Sequence, residues 1–221
     1  MAKVLIGNVY PSHAYLMERC APAGFGLGGN GQLVEISSIA ELDSLSNNGW
    51  YDIHSSNELT LGGVSFTACV LEISSLSETY GWQIIRLLGK NSTLIRHKNN
   101  GVWGEWEWDN PALYAGIEYR TTERFRGEPV YVKLVDCAGM PSANNTKTVD
   151  HGITPIRYIV DFGGYMMPEN MNVIALPYRF SSTNYAYLSV DSKKIQLESG
   201  ATDLAAYTDV KVWIKYTKST N

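Results

Sequence analysis

Strict alternation of apolar and polar side chains recurs through the C-terminal half of this 221-residue chain, and nothing else in the sequence restricts its fold as severely. The stretch 116–136, GIEYRTTERFRGEPVYVKLVD, shows it first. A charged segment passes a Gly127-Glu128-Pro129 turn and becomes a strand, with Val130, Val132 and Leu134 on one face and Tyr131, Lys133 and Val135 on the other. A period of two is the signature of an antiparallel strand. Pro129, which has no N–H for a ladder, suits a strand's beginning. Further on, Ile156, Tyr158, Val160 and Phe162 are expected to share a face. So are Ala186, Leu188 and Val190, opposite Tyr185, Tyr187 and Ser189. The last strand places Val210, Val212, Ile214 and Tyr216 inward, and Lys211, Trp213 and Lys215 outward. Short strands between turns, with no long helical period, predict a β-sandwich of jelly-roll type.

Upstream, the pattern differs. Ser38-Ile39-Ala40-Glu41 is a capping box opening a short helix with Ile39, Leu42 and Leu45 on one face, stopped by Asn47-Asn48-Gly49. Strands are expected over Trp50–His54, Val64–Ile73, Trp82–Leu88, Thr93–His97 and Trp103–Trp108. Gly62-Gly63, Gly89-Lys90-Asn91 and Asn99-Asn100-Gly101 supply turns between them. The fold class is therefore mainly β, in three parts. Residues 1–32 form an N-terminal segment, 33–115 a small α+β domain, and 116–221 an antiparallel β-sandwich. Within the first part, a short strand, a helical turn capped by Ser12 and a glycine-rich turn are expected. Gly24-x-Gly26-x-x-Gly29 matches the dinucleotide fingerprint in letters only, because the required strand-before, helix-after context is reversed.

Composition narrows the function. Charged residues are 18 % of the chain and the net charge is −4, with Lys193-Lys194 the longest basic run, which argues against a nucleic-acid partner. No stretch approaches the roughly 20 apolar residues that span a bilayer, so no membrane insertion is expected. MAKVLIGNVY lacks the features of a signal peptide, which implies synthesis in a cytoplasm without export. Cys20, Cys69 and Cys137 have no metal-type spacing and are expected to stay reduced.

Three stretches carry a resemblance. Leu5-Ile6-Gly7-Asn8-Val9, a short polar helix and CAPAGFGLG (20–28) resemble the start of tail-fibre-like proteins of phages that infect Gram-positive bacteria. The threonine-rich run through Gly127-Glu128-Pro129-Val130-Tyr131-Val132-Lys133 resembles a segment that opens the C-terminal sandwich of phage tail-fibre and baseplate proteins. The order helix, Gly-Trp-Tyr strand, Trp-Gln-Ile strand, Ile-Arg strand, Trp-x-x-Trp strand is similar to the knob domain of R-type pyocin tail fibres, with Ile95-Arg96-His97 where a Thr-Arg pair is usual. The resemblance implies a receptor-binding subunit of a virion tail or phage-tail-like bacteriocin. It would be a homotrimer, attached to upstream tail or baseplate proteins through residues 1–32, and hold a bacterial surface saccharide. No cofactor is implied.

For a site, sugar binding calls for aromatic rings beside hydrogen-bonding groups. The ligand-binding candidates are Trp103, Glu105, Tyr185, Tyr187 and Trp213. Aromatics are equally at home in subunit interfaces, so a ligand-free structural adaptor of the tail stands as an alternative. A glycan-degrading tail enzyme is another. On one strand Glu105 and Glu107 would share a face about 7 Å apart, within the span of glycosidase carboxylates. Catalytic residues are otherwise not expected. His13, His54, His97 and His151 form no ligand pair, and a metal would need one of them repeated about a three-fold axis.

Overall fold

A computed structural model describes residues 32–45, 47–168 and 173–219. The strand, helical turn and glycine-rich turn expected in the N-terminal segment lie outside the described residues. The rest is almost entirely β, in two compact units that divide between Trp106 and Glu107.

In the first unit, β1 (Gln32–Glu35) runs parallel to β2 (Gly49–Leu61). An antiparallel meander follows through β3 (Val64–Ser75), β4 (Gly81–Leu87) and β5 (Ser92–Asn99), and β6 (Val102–Trp103) pairs with β5. Gly62 and Gly63 both take positive φ, as do Asn100 and Gly101, the left-handed geometry that two-residue hairpins need. Between β1 and β2 the expected helix is a single 3₁₀ segment, Ile39–Ser44. The Glu41 carboxylate accepts from the Ser37 and Ser38 N–H groups at 3.0 Å, which closes the capping box. One face of the sheet is buried: Tyr51 and Ile53 on β2, Cys69 and Leu71 on β3, Ile85 and Leu87 on β4, and Leu94 on β5. Leu42 of the 3₁₀ segment is fully buried with them.

The second unit is a sandwich of two sheets. The larger runs β7 (Glu107–Trp108), β8 (Glu118–Phe125), β9 (Glu128–Ala138), β16 (Asp209–Lys218), β11 (Ile156–Met167), β12 (Ile174–Leu176). The smaller runs β10 (Thr146–Asp150), β15 (Lys194–Ser199), β14 (Tyr185–Val190), β13 (Tyr178–Arg179). Strand β16 is central, and Val210, Val212, Ile214 and Tyr216 are fully buried, as the alternation predicts. They join Val135 and Cys137 of β9, Met166 of β11, Ala186 and Leu188 of β14, and Ile195 and Leu197 of β15 in one core. At about 1.5–3 kcal/mol per large buried side chain, this cluster is what holds the two sheets together.

Two expectations need correcting. The charged run before the Gly127 turn is itself a strand, β8, joined to β9 by Arg126 and Gly127, both at positive φ. In β11, register shifts between Ile156 and Tyr158 and between Ile159 and Asp161 break the alternation. Ile159 pairs with inward Tyr216 and Phe162 with inward Ile214, while Tyr158 pairs with Thr217, so the four expected residues do not share a face. A bulge adds one residue to one strand only, and hydropathy spacing does not register it.

Strand β9 also departs from a half-exposed strand. Tyr131 and Val135 face the sandwich core, yet Val130 and Val132, on the other face, are buried as well. That face carries a second small core with Trp108 and Tyr119, whose rings meet edge to face at 5.4 Å.

The two described cysteines are buried, and burial pushes their thiols up, Cys69 to about 12 with Asp52 adding to it, and Cys137 to about 11. Thiolate is the reactive species. A thiol reagent at neutral pH should therefore leave both unlabelled in the native protein and label both after unfolding, as read by peptide mass mapping. Rapid native labelling of either would contradict their placement.

Candidate functional site

The sequence candidates do not gather in one place. Tyr185 and Tyr187 do come together, on the outer face of the smaller sheet, because β14 turns Ala186 and Leu188 into the core. They line an open cavity of about 460 Å³ with Pro177, Tyr178, Arg179, Ser182 and Ala186. Tyr187 is exposed and Tyr185 half-buried. The Tyr185 hydroxyl donates to Glu198 Oε1 at 2.7 Å, and this bond raises the phenol above its ordinary value. Glu198 stands directly across from Tyr187 on β15, and exposed Thr146 lies directly across from Glu198 on β10. Gln196 and Ser189 form the next cross-strand pair. The face thus offers rings for stacking beside carboxylate, amide and hydroxyl groups in rows about 4.8 Å apart, the inter-strand spacing.

The rim next to this cavity is stiff. Tyr178 and Phe180 pack edge to face with centroids 4.1 Å apart. The 181–184 turn is closed by Phe180 and Ser181 N–H groups on Asn184 O and by Asn184 N–H on Ser181 Oγ. Gly200 lies beneath, where a Cβ would stand 2.2 Å from Thr183 O and 2.9 Å from the Tyr185 ring. Only glycine permits this approach.

Trp213 is placed differently from the expected open position between two lysines. It is half-buried and lies flat against Gly163, its direct cross-strand partner, where a Cβ would come within 2.3 Å of the ring. It walls a separate cavity of about 280 Å³ with Pro111, Leu113, Thr121, Val132 and Lys215. Lys215 is paired with Glu123 at 2.6 Å.

Trp103 and Glu105 lie in the first unit, where the expected Trp103–Trp108 strand does not exist. It is broken into β6 and β7, and Gly104 N–H bonds His97 O at 2.8 Å. The reason is Arg96. Its guanidinium lies 4.7 Å from the centroid of Trp103 and 4.3 Å from that of Trp106. Residues three apart on a continuous strand point to opposite faces and could not both cover one cation. Glu105 is exposed, whereas Glu107 is buried and accepts from Arg120 Nε at 2.9 Å and from Arg124 Nη2 at 2.8 and 2.7 Å. The shared-face carboxylate pair of the hydrolase alternative is therefore not formed: Glu107 is a structural ion-pair centre.

Two of the described histidines have protein partners. His151 is buried, with Nδ1 accepting from Ile153 N–H and Nε2 donating to Asp191 O. His54 lies 3.0 Å from Asp52. Among the described residues no group of three or more His, Cys, Asp or Glu could hold a metal ion, and no helix is long and apolar enough to cross a membrane.

Sequence reasoning missed Tyr178, Arg179 and Phe180. Tyr178 and Arg179 form a strand of two residues after Pro177, with Phe180 just beyond it, so there is no period, and the only signal was an aromatic-basic-aromatic triplet beside a serine turn.

No family model matches the sequence, and no curated protein matches it. Among solved structures, the chain is similar to an N-truncated R2-type pyocin tail fibre, at 11 % identity and a TM-score of 0.30 over 88 % of this chain and 99 % of that one. It is also similar to the C-terminal part of the R1 pyocin fibre of P. aeruginosa, at 11 % identity and a TM-score of 0.28 over 85 % and 67 % of the two chains. At TM-scores this low no site is carried over. Pyocin tail fibres are what the chain is similar to.

Proposed function

We propose that this protein is a tail-fibre tip or baseplate receptor-binding subunit, of a phage or a phage-tail-like bacteriocin, that attaches to a bacterial surface saccharide. The observation that carries this is the tyrosine-lined cavity on β13 and β14, set in a rigid sheet face rich in hydroxyl, amide and carboxylate groups. The sequence resemblances at 5–9, 20–28 and 127–133 support the tail assignment. Residues 1–32 mount the subunit on the particle, 33–115 space it, and 116–221 carry recognition.

The mechanism is binding without covalent chemistry. A pyranose lays its apolar face on the exposed Tyr187 ring, while its hydroxyls bond Ser182, Glu198 and Thr146. One such contact is weak. A homotrimer presents three, and avidity multiplies the result. The test uses the labelled full chain on a panel of bacterial cells and isolated wall polysaccharides. Tyr187→Ala should lower the affinity of each site about fivefold, since a stacked ring contributes on the order of 1 kcal/mol, and retention should fall further because three sites act together. Trp213→Ala should leave retention unchanged. Sedimentation equilibrium should give three times the chain mass, and a monomer at all concentrations would contradict the trimer.

A further inference from the structure

We propose, building on saccharide recognition by the β13–β14 cavity, that the glycan carries an acidic group, a carboxylate or a phosphate, and that Arg179 holds it. Arg179 is the one charged residue among those lining the cavity. Other described arginines are set against carboxylates: Arg86 on Glu72, Arg96 on Asp43, Arg120 and Arg124 on Glu107, and Arg157 on Glu128. Arg126 lies over the rings of Phe125 and Tyr158. Arg179 makes neither kind of contact among the described residues. It spends only Nε, donating to Ser181 O at 3.1 Å.

That single bond matters for geometry. It ties the guanidinium to the 181–184 turn and leaves the outer fork, Nη1 and Nη2, without an acceptor among the described residues. A planar fork with two parallel donors matches a carboxylate or phosphate edge. Arg179 pairs directly with Tyr185 across β13 and β14, so an anion on the fork lies beside the ring-lined part of the cavity. Glu198, the nearby carboxylate, is on β15 and is not part of the cavity wall; its Oε1 is occupied by the Tyr185 hydroxyl. The layout fits a sugar whose ring stacks on tyrosine and whose acidic substituent points toward β13.

The experiment is an array of bacterial polysaccharides sorted into neutral, uronate-bearing and phosphate-bearing sets. It is probed with the full chain and with Arg179→Ala, Arg179→Lys and Tyr187→Ala, all at an exposed edge strand or sheet face. Binding should concentrate in one of the two acidic sets, and which one identifies the acid. Arg179→Ala should lower it about tenfold, as loss of a charge-assisted fork does. Arg179→Lys should recover part of the loss, and rising sodium chloride should weaken the wild type toward the Arg179→Ala level. Binding centred on neutral polysaccharides, kept in Arg179→Ala and lost in Tyr187→Ala, overturns the acidic group and leaves saccharide recognition standing. Absence of binding to every set overturns both.

Discussion

Arg96→Ala should lower the stability of the first unit by about 2–5 kcal/mol, the range for truncating a large buried side chain. Arg96 is almost wholly buried, yet its guanidinium is paired. Nε and Nη2 donate to Gln83 Oε1 at 2.9 and 2.6 Å, and Nη2 meets Asp43 Oδ1 at 2.6 Å. Burial pulls its pKa down, and the hydrogen bond and charge of Asp43 work against that. Gln83 in turn donates through Nε2 to Leu42 O at 2.9 Å and Leu45 O at 3.3 Å, which anchors the 3₁₀ segment to β4. Truncation removes the cation that both indoles cover and leaves buried Gln83 Oε1 without its donor, a cost of about 1–3 kcal/mol by itself. Arg96→Met should recover part of the packing but none of the hydrogen bonds, and so fall in between. Chemical denaturation followed by tryptophan fluorescence checks the order wild type, Met, Ala. A loss below about 1 kcal/mol for Arg96→Ala would show that the stack is incidental.

Gly200→Ala should disable the candidate site and destabilise the sandwich together. The new methyl would stand 2.2 Å from Thr183 O and 2.9–3.0 Å from Cδ1 and Cε1 of Tyr185. Neither side can yield freely. Gly200 N–H bonds Tyr185 O at 2.9 Å, Ala201 N–H bonds Thr183 O at 2.8 Å, and Asn144 N–H bonds Gly200 O at 2.8 Å. Overpacking of this kind costs about 1–3 kcal/mol, and more where backbone is the obstacle. Relief requires the 181–184 turn or the Tyr185 ring to shift, and both border the cavity. Saccharide retention should therefore fall at least as far as in Tyr187→Ala, with a lowered thermal midpoint. A variant with native midpoint and native retention would contradict the close approach on which the site is built.

The two variants also mark what was legible in the sequence. Period-two spacing places Val210, Val212, Ile214 and Tyr216 in the core and Tyr185 and Tyr187 on an outer face, because pleating leaves no other choice. It fails wherever one residue is added, as at the β11 bulges, or where a side chain overrides the backbone period. Trp103 and Trp106 both cover Arg96, and Glu107 is drawn to Arg120 and Arg124, so the expected strand breaks between them. Likewise Trp213 sits on the outward face as alternation requires, but the bare Gly163 opposite draws its ring down onto the sheet. These are interactions between residues far apart in the chain. The half of the site contributed by β13 was silent for another reason: a two-residue strand has no period to detect.

Hydrogen–deuterium exchange on the full chain, with and without a bacterial wall polysaccharide that retains it, tests the location of recognition most directly. Added polysaccharide should slow exchange in peptides covering Tyr178–Val190 and leave those around Trp213 and in the first unit unchanged. Slowing confined to the Trp213 peptides or to Trp103–Trp106, with none across β13 and β14, would place recognition elsewhere and contradict the account.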